Sequence, residues 1–300
     1  MNPTPVAVVE TLVVAEYGLG DRASCGLLNS GINDIYAVEI DGDRYALRIQ
    51  GPDKWWVRDD GEARFELDLL THLQAHEVSV AYPIPRGNGD PLGKINGRFY
   101  TLFSWAADHP TGLSAGEEQQ RVGRTLAEIH AAADLFRTDH NRYRLDEKSL
   151  LDRAMQVLRP ALAAADPAAA HYIEEEVQRI RDQLMTFDPG PGGWGIIHGD
   201  VQALNYHFNT DRRPVFFDFD LCGYGWRAYD VAYVYTRIPD TVRESFLDGY
   251  QEIRPLSAAE HDMLPVFGKA AWVKERTMVG SGQSPDALVA NLRDPYISFD

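Results

Sequence analysis

The sequence predicts an α+β fold in two parts, a small lobe on an antiparallel sheet and a larger, mainly helical lobe. Three observations predict it. Short apolar runs separated by turn residues dominate residues 27–50 and 91–103. From Ser114 onward the apolar spacing becomes helical. Within that helical part, two apolar runs, Trp194–Ile197 and Val215–Phe217, each lead into acidic residues.

Taken in order, residues 5–16 place Val6, Val9, Leu12 and Val13 at helical spacing, a helix for the outside of the first lobe. Leu27–Asn29 and Ile35–Ile40 read as strands joined by Ser30-Gly31-Ile32-Asn33. Asp41-Gly42-Asp43 turns the chain into a third strand, Arg44–Gln50. Gly51–Gly61 is a loop whose Trp55 and Trp56 either cover a site or plug the lobe. Glu62–His76 follows as a helix with Phe65, Leu69, Leu70 and Leu73 on one face. After Val80–Pro85 the chain turns at Arg86-Gly-Asn-Gly-Asp. Asn96-Gly97 between Pro91–Ile95 and Phe99–Phe103 is a hairpin signal. Gly93-Lys94 resembles the end of a Walker A loop, but Ile95 stands where Ser or Thr would hold a metal, so the hairpin reading is kept. These runs make a five-stranded sheet that ends at Phe103, with Ser104–Asp108 as crossover, giving expected domains 1–103 and 104–300.

In the second part, Glu117–Ala133 carries Val122, Leu126, Ile129 and His130 in register. Residues 147–165 and 168–186 read as two helices split by Asp166-Pro167, and Pro189-Gly-Pro-Gly-Gly ends the second. Residues 241–254, 257–280 and 284–292 read as helices that wall a cleft.

Composition narrows the function. Hydrophobic residues make up 44% of the 300, as in a soluble globular protein. A formal net charge of −16 argues against a nucleic-acid footprint and is compatible with a cationic substrate. Two distant cysteines, Cys25 and Cys222, form neither a disulfide scaffold nor a zinc pattern. The N-terminus lacks a basic signal region, and no apolar run approaches the ~20 residues of a membrane span. The expected setting is the reducing cytoplasm, without a membrane partner.

The chemistry gathers between Gly195 and Asp230. The first apolar run stops at His198-Gly199-Asp200, and Asn205 follows five residues after that aspartate. The second ends in Asp218-Phe219-Asp220. Two carboxylate-bearing strand ends with an amide between them suit a hard cation bound by oxygen. They also suit phosphoryl transfer, in which a protein mainly positions groups and neutralises charge.

HGD-x-x-x-x-N followed by an apolar run and Asp resembles the aminoglycoside phosphotransferase family. That family includes choline kinase, type II homoserine kinase and bacterial stress-response kinases, and is distantly related to the protein kinases. The resemblance implies a two-lobed protein-kinase-like fold with ATP or GTP and Mg2+ between the lobes. It implies Asp200 as the catalytic base or orienter of the acceptor hydroxyl, and Asn205 and Asp218 as metal ligands. His198 would hold the loop, and Asp220 would support the metal shell or face the acceptor. Ser30, Gly31 and Asn33 stand in the places of the nucleotide-covering loop, although the local sequence suits a plain hairpin turn equally well. Arg48 takes the place of the strand lysine that holds phosphates, and Glu66 that of its partner; the alternative is a solvated Arg48. Ser104 and Ala106 are the crossover positions beside the base. His130 reads as a packed or capping residue, and Asp230 as a cap or an anchor for the loop.

The implied partners are a nucleoside triphosphate and a small hydroxyl acceptor, aminoglycoside-like or otherwise amino-bearing, on a monomer or homodimer. Homoserine or amino-alcohol phosphorylation, a Ser/Thr protein kinase and a catalytically silent nucleotide-binding regulator are the alternatives.

Overall fold

The computed structural model describes residues 2–52, 54–106, 112–165 and 167–279. The chain forms two compact units. The first takes Met1–Thr111, Leu135–Arg142 and Tyr206–Asp220; the second takes Gly112–Asp134, Tyr143–Asn205 and Leu221–Asp300. Against the expected division at 103/104, two later stretches thus join the first unit.

In the first unit, α1 (Val6–Tyr17) buries Val9, Val13 and Tyr17, one face at a spacing of four, and ends at Gly18 with φ 61°. It covers the meander β1 (Ser24–Ser30), β2 (Asn33–Ile40) and β3 (Asp43–Gln50). The β2–β3 turn is Asp41-Gly42, both left-handed at φ 50° and 94°, the conformation a two-residue hairpin requires. α2 (Asp60–Ala75) starts at Asp59, whose carboxylate accepts the Glu62 N–H at 2.9 Å. β4 (Pro83–Ile84), β5 (Gly93–Ile95) and β6 (Arg98–Ser104) complete the sheet in the order β1-β2-β3-β6-β4, with β5 also on β6. Asn96-Gly97 is left-handed at φ 49° and 80°, so Gly93-Lys94 does lie in a hairpin.

The sheet has six strands, one more than expected. The added one is β4, two residues long, at the edge where Pro83 costs no ladder bond. Tyr36, Val38, Leu47, Ile49 and Leu102 pack with the α1 face as the core. A second small sheet, β9 (Tyr206–Phe208) with β10 (Pro214–Phe216), joins this unit through a bridge from Val80 to Phe216.

The second unit is mainly helical. α3 (Ala115–Ala133) begins with a capping box between Ser114 and Glu117. β7 (Arg144–Leu145) leads to a π-turn at Lys148–Asp152, then to α4 (Arg153–Ala165) and α5 (Pro167–Thr186). β8 (Trp194–Ile197) and β11 (Gly223–Trp226) pair antiparallel, and β7 runs parallel to β11. α6 (Arg227–Tyr235), α7 (Asp240–Gln251), α8 (Ala258–Asp262) and α9 (Leu264–Val279) complete the unit. The single helix expected over 257–280 is two helices. Pro265 cannot donate a helical N–H, which favours a new first turn at that point. The helix expected over 284–292 lies outside the described residues.

α3 and α7 cross with almost no room between them. A Cβ at Gly123 would stand 2.0 Å from the Phe246 carbonyl oxygen, and one at Gly249 would stand 1.9 Å from that of Gln120. Only glycine permits this backbone approach.

Candidate active site

In the first unit, strand β3 and helix α2 bring Arg48 and Glu66 together. Arg48 Nη2 donates to Glu66 Oε2 at 2.6 Å, and both residues are buried, at 5% and 0% exposure. Arg48 therefore does not face water. Its Nη1 lies 3.4 Å from Asp218 Oδ1. Burial alone would favour the neutral guanidine, but Glu66, Asp220 and Asp218 outweigh it and raise the pKa of Arg48.

Asp218 follows β10 with φ 59°, a left-handed conformation uncommon for residues other than glycine. That conformation accompanies a half-exposed carboxylate, 41% accessible. Asp220 is turned inward. Its Oδ2 accepts Lys54 Nζ at 2.6 Å and Asn33 Nδ2 at 3.1 Å, and its main-chain oxygen accepts Arg142. Burial pushes the Asp220 carboxyl up, and Lys54 and Arg48 more than reverse this, so it stays ionised well below the usual range.

Of the Ser30–Asn33 turn, Ser30 and Gly31 are exposed and Asn33 is buried. Ser30 Oγ donates to Asp34 at 2.8 Å, and the Gly31 N–H donates to the Asn33 carbonyl at 3.1 Å. At the end of β6, Ser104 Oγ accepts the Tyr82 N–H at 3.0 Å, and Ala106 is half-buried just beyond it. Trp56 is buried and meets Trp55 edge-on, 5.6 Å between centroids, so Trp56 plugs the unit rather than covering an open face.

In the second unit, the loop after β8 is tied from beneath. The His198 and Gly199 N–H groups donate to the two oxygens of Asp230, at 2.7 and 2.9 Å. Gly199 has φ 79°, and a Cβ there would meet the Leu221 carbonyl oxygen at 2.3 Å. Asp230 thus anchors the loop; it does not cap α6, which starts three residues earlier at Arg227. Burial raises its carboxyl, but His130 and the loop N–H groups prevail and lower it. His130 lies between Asp230 Oδ2, 3.2 Å from Nε2, and the Tyr250 hydroxyl, 2.9 Å from Nδ1. Beside an ionised Asp230 the ring proton belongs on Nε2, leaving Nδ1 to accept from Tyr250. Burial pushes the His130 pKa from 6.5 down to about 4, so the ring is neutral. His198 is fully buried, and its Nδ1 accepts the Asp200 N–H at 3.3 Å.

Asp200 is gripped at both carboxylate oxygens. Oδ1 accepts the Tyr233 hydroxyl at 2.9 Å; Oδ2 accepts Gln202 Nε2 at 2.9 Å and Asn205 Nδ2 at 3.1 Å. Asn205 Nδ2 also donates to the Asp200 main-chain oxygen at 2.9 Å. With its nitrogen engaged there, Asn205 keeps its carbonyl oxygen for another partner. Lys274, buried on α9, donates to the Gly199 carbonyl at 2.6 Å.

Among the described residues, no three His, Cys, Asp or Glu side chains gather as a metal-ligand set. Magnesium needs no such cage, since it commonly takes one or two protein oxygens together with phosphates and water. Each unit offers oxygen of that kind: the first the accessible Asp218 carboxylate, the second the Asn205 amide oxygen.

Sequence reasoning missed Lys54, Arg142, Tyr233, Lys274 and Glu275. One signal was present for Lys274: a cation directly after the apolar run Ala270-Ala271-Trp272-Val273. Lys54, in an irregular loop, gave none.

The sequence pattern of the phosphotransferase enzyme family, APH, matches residues 26–261. The chain belongs to this family. As a member it is a kinase-type phosphotransferase with an alcohol group as acceptor. An uncharacterized protein of Synechocystis sp. is 31% identical over 281 residues, 87% of this chain and 74% of that protein. The homoserine kinase of Methylobacillus flagellatus is 28% identical over 262 residues, 83% of this chain and 76% of that enzyme. Among solved structures, a microcompartment-associated aminopropanol kinase superposes with a TM-score of 0.79 at 23% identity, covering 98% of this chain and 94% of that one. The phosphotransferase thus has the α+β, kinase-like fold class expected. Among its described residues, no helix is long and apolar enough to cross a membrane.

Proposed function

We propose that this phosphotransferase moves the γ-phosphoryl group of ATP or GTP, with Mg2+, to the hydroxyl of a small amino-bearing alcohol. The observation that carries the nucleotide half is the buried Arg48–Glu66 pair at 2.6 Å with the accessible Asp218 beside it. A guanidinium fixed by a buried carboxylate is a preorganised partner for phosphate oxygens. In this reading Asp218 and Asn205 hold the magnesium, whose chemistry is to neutralise charge on the phosphates. The exposed Ser30-Gly31 turn covers the triphosphate, and main-chain groups at Ser104 and Ala106 meet the base. Asp220, held at Oδ2 by Lys54 and Asn33, is an anchor for the segment that carries Asp218.

Asp200 supplies the other half. Donors at both oxygens fix its direction, and it orients the acceptor hydroxyl and takes its proton. His198 and Asp230 hold the loop from which it acts. Relatedness to homoserine kinase favours a small amino alcohol over a bulky aminoglycoside.

The test is a screen with Mg-ATP and Mg-GTP against L-homoserine, 1-amino-2-propanol, choline, an aminoglycoside and a Ser/Thr peptide. ADP or GDP release and the mass of one added phosphate are the readouts. Phosphate on an amino alcohol supports the reading. Phosphate on the aminoglycoside or peptide alone would replace its acceptor, and release unaffected by metal removal would refute its magnesium.

A further inference from the structure

The phenol of Tyr233, on α6, faces two carboxylates. Its oxygen lies 2.9 Å from Asp200 Oδ1 and within hydrogen-bond reach of Glu275 Oε1 on α9. A phenol carries one proton and can donate to only one of them at a time. Arg237 bears on the choice. Its Nη2 donates to the same Glu275 Oε1 at 2.9 Å, so that oxygen already has a charged donor. Arg237 also stacks on the Tyr233 ring, with its guanidinium carbon 3.9 Å from the centroid, and donates from Nη1 to the Tyr233 main-chain oxygen at 3.0 Å. A cation on the ring face is attracted to the aromatic electrons, and drawing them away strengthens the O–H as a donor.

We propose that Arg237, Glu275 and Tyr233 form a positioning chain that aims Asp200. Arg237 occupies Glu275, Glu275 leaves the phenol proton to Asp200, and Tyr233 pins Oδ1. Gln202 and Asn205 hold Oδ2 from the other side. A carboxylate tied at both oxygens cannot turn about its own bond, so its free lone pairs keep one direction toward an acceptor hydroxyl. The neighbour of Glu275 on the same helix, Lys274, fixes the loop itself through the Gly199 carbonyl. Two consecutive residues of α9 thus set the loop and the side chain it carries. The proposal rests on Asp200 being the group that meets the acceptor.

The experiment follows ADP release from Mg-ATP with water as acceptor, so that no acceptor need be known. It compares wild type, Asp200→Ala, Tyr233→Phe, Arg237→Met and the double variant Arg237→Met/Glu275→Gln, each checked for a wild-type melting profile. Expected are losses of about tenfold in kcat for Tyr233→Phe and Arg237→Met, with KM for ATP changed less than about twofold. The double variant recovers most of the Arg237→Met loss, because an uncharged amide in place of the Glu275 carboxylate competes less strongly for the phenol proton. Tyr233→Phe at the wild-type rate, or a double variant no better than Arg237→Met, overturns the chain while an inactive Asp200→Ala leaves the role of Asp200 standing. Asp200→Ala at the wild-type rate removes that role and the chain with it. Crystal structures give a readout independent of turnover. In Arg237→Met the Tyr233–Asp200 contact lengthens beyond about 3.5 Å, and in the double variant it returns; an unchanged contact in Arg237→Met overturns the proposal.

Discussion

The site carboxylates of the first unit, Glu66, Asp218 and Asp220, are held by cations, and two of the second, Asp200 and Asp230, by neutral donors. Glu66 and Asp218 have Arg48, and Asp220 has Lys54. Asp230 has two backbone N–H groups and a neutral His130, while Asp200 has a phenol and two amides. Ion pairing cancels charge in advance, which suits residues that must stay in place beside a polyanion. Neutral donors fix direction and leave the negative charge uncancelled, which suits a group that must attract a proton. The difference fits the tasks proposed for these residues, which a count of acidic residues would not separate.

The sharpest break of this contrast is Asp200→Ala. Phosphoryl transfer should fall about 10³-fold or more, with thermal stability near wild type. A variant within tenfold of wild type would mean that neutral gripping of Asp200 serves only the fold.

Next comes the cationic side. Arg48→Ala leaves Glu66, at 0% exposure, buried without its cation. That should cost roughly 3–5 kcal/mol of stability in urea unfolding, besides weakening nucleotide binding. A loss below about 1 kcal/mol would place the pair among surface-type bridges.

A pH series then probes the neutral side. Burial holds the His130 pKa at about 4 against an ordinary 6.5, so below the higher value the unfolded chain takes up protons that the fold excludes. The stability it contributes is fully present above about pH 6.5 and is lost as the pH falls through 4. The shift of 6.5 − 4 = 2.5 corresponds to roughly 3 kcal/mol. His130→Asn should flatten that part of the unfolding curve; an identical pH dependence in the variant would exclude His130 as its source.

The smallest expected effect is at Asp218. Asn tolerates the φ of 59°, so Asp218→Asn should fold normally. It should weaken Mg2+-dependent nucleotide binding about tenfold, and titration calorimetry with and without the metal separates that from a general loss of affinity.

Much of this was legible because the signals were local. Asp41-Gly42 and Asn96-Gly97 specify their turns by backbone conformation alone, and the turns bracket the strands. Arg48 on a strand and Glu66 on a helix face could be paired because a kinase-like resemblance supplied the long-range contact that spacing could not. Strand β4 escaped because two residues with a proline carry no period. Tyr233, Arg237 and Glu275 escaped for a different reason. Tyr233 sits in a Tyr-rich apolar helix where a core role is the plain reading, and its partner Glu275 lies about 40 residues away on α9. Lys54 and Arg142 act through Asp220, and nothing in their own neighbourhoods announces a carboxylate so distant in sequence.

The bare crossing of α3 and α7 reaches further than its location implies. His130 rides on one of these helices and Tyr250 on the other, next to Gly249. A methyl group wedged between the two backbones would part the imidazole from its phenol, then slacken Asp230 and the peptide groups it tethers. Tolerance to mutation at two residues without side chains is therefore coupled to the aim of a loop they never touch.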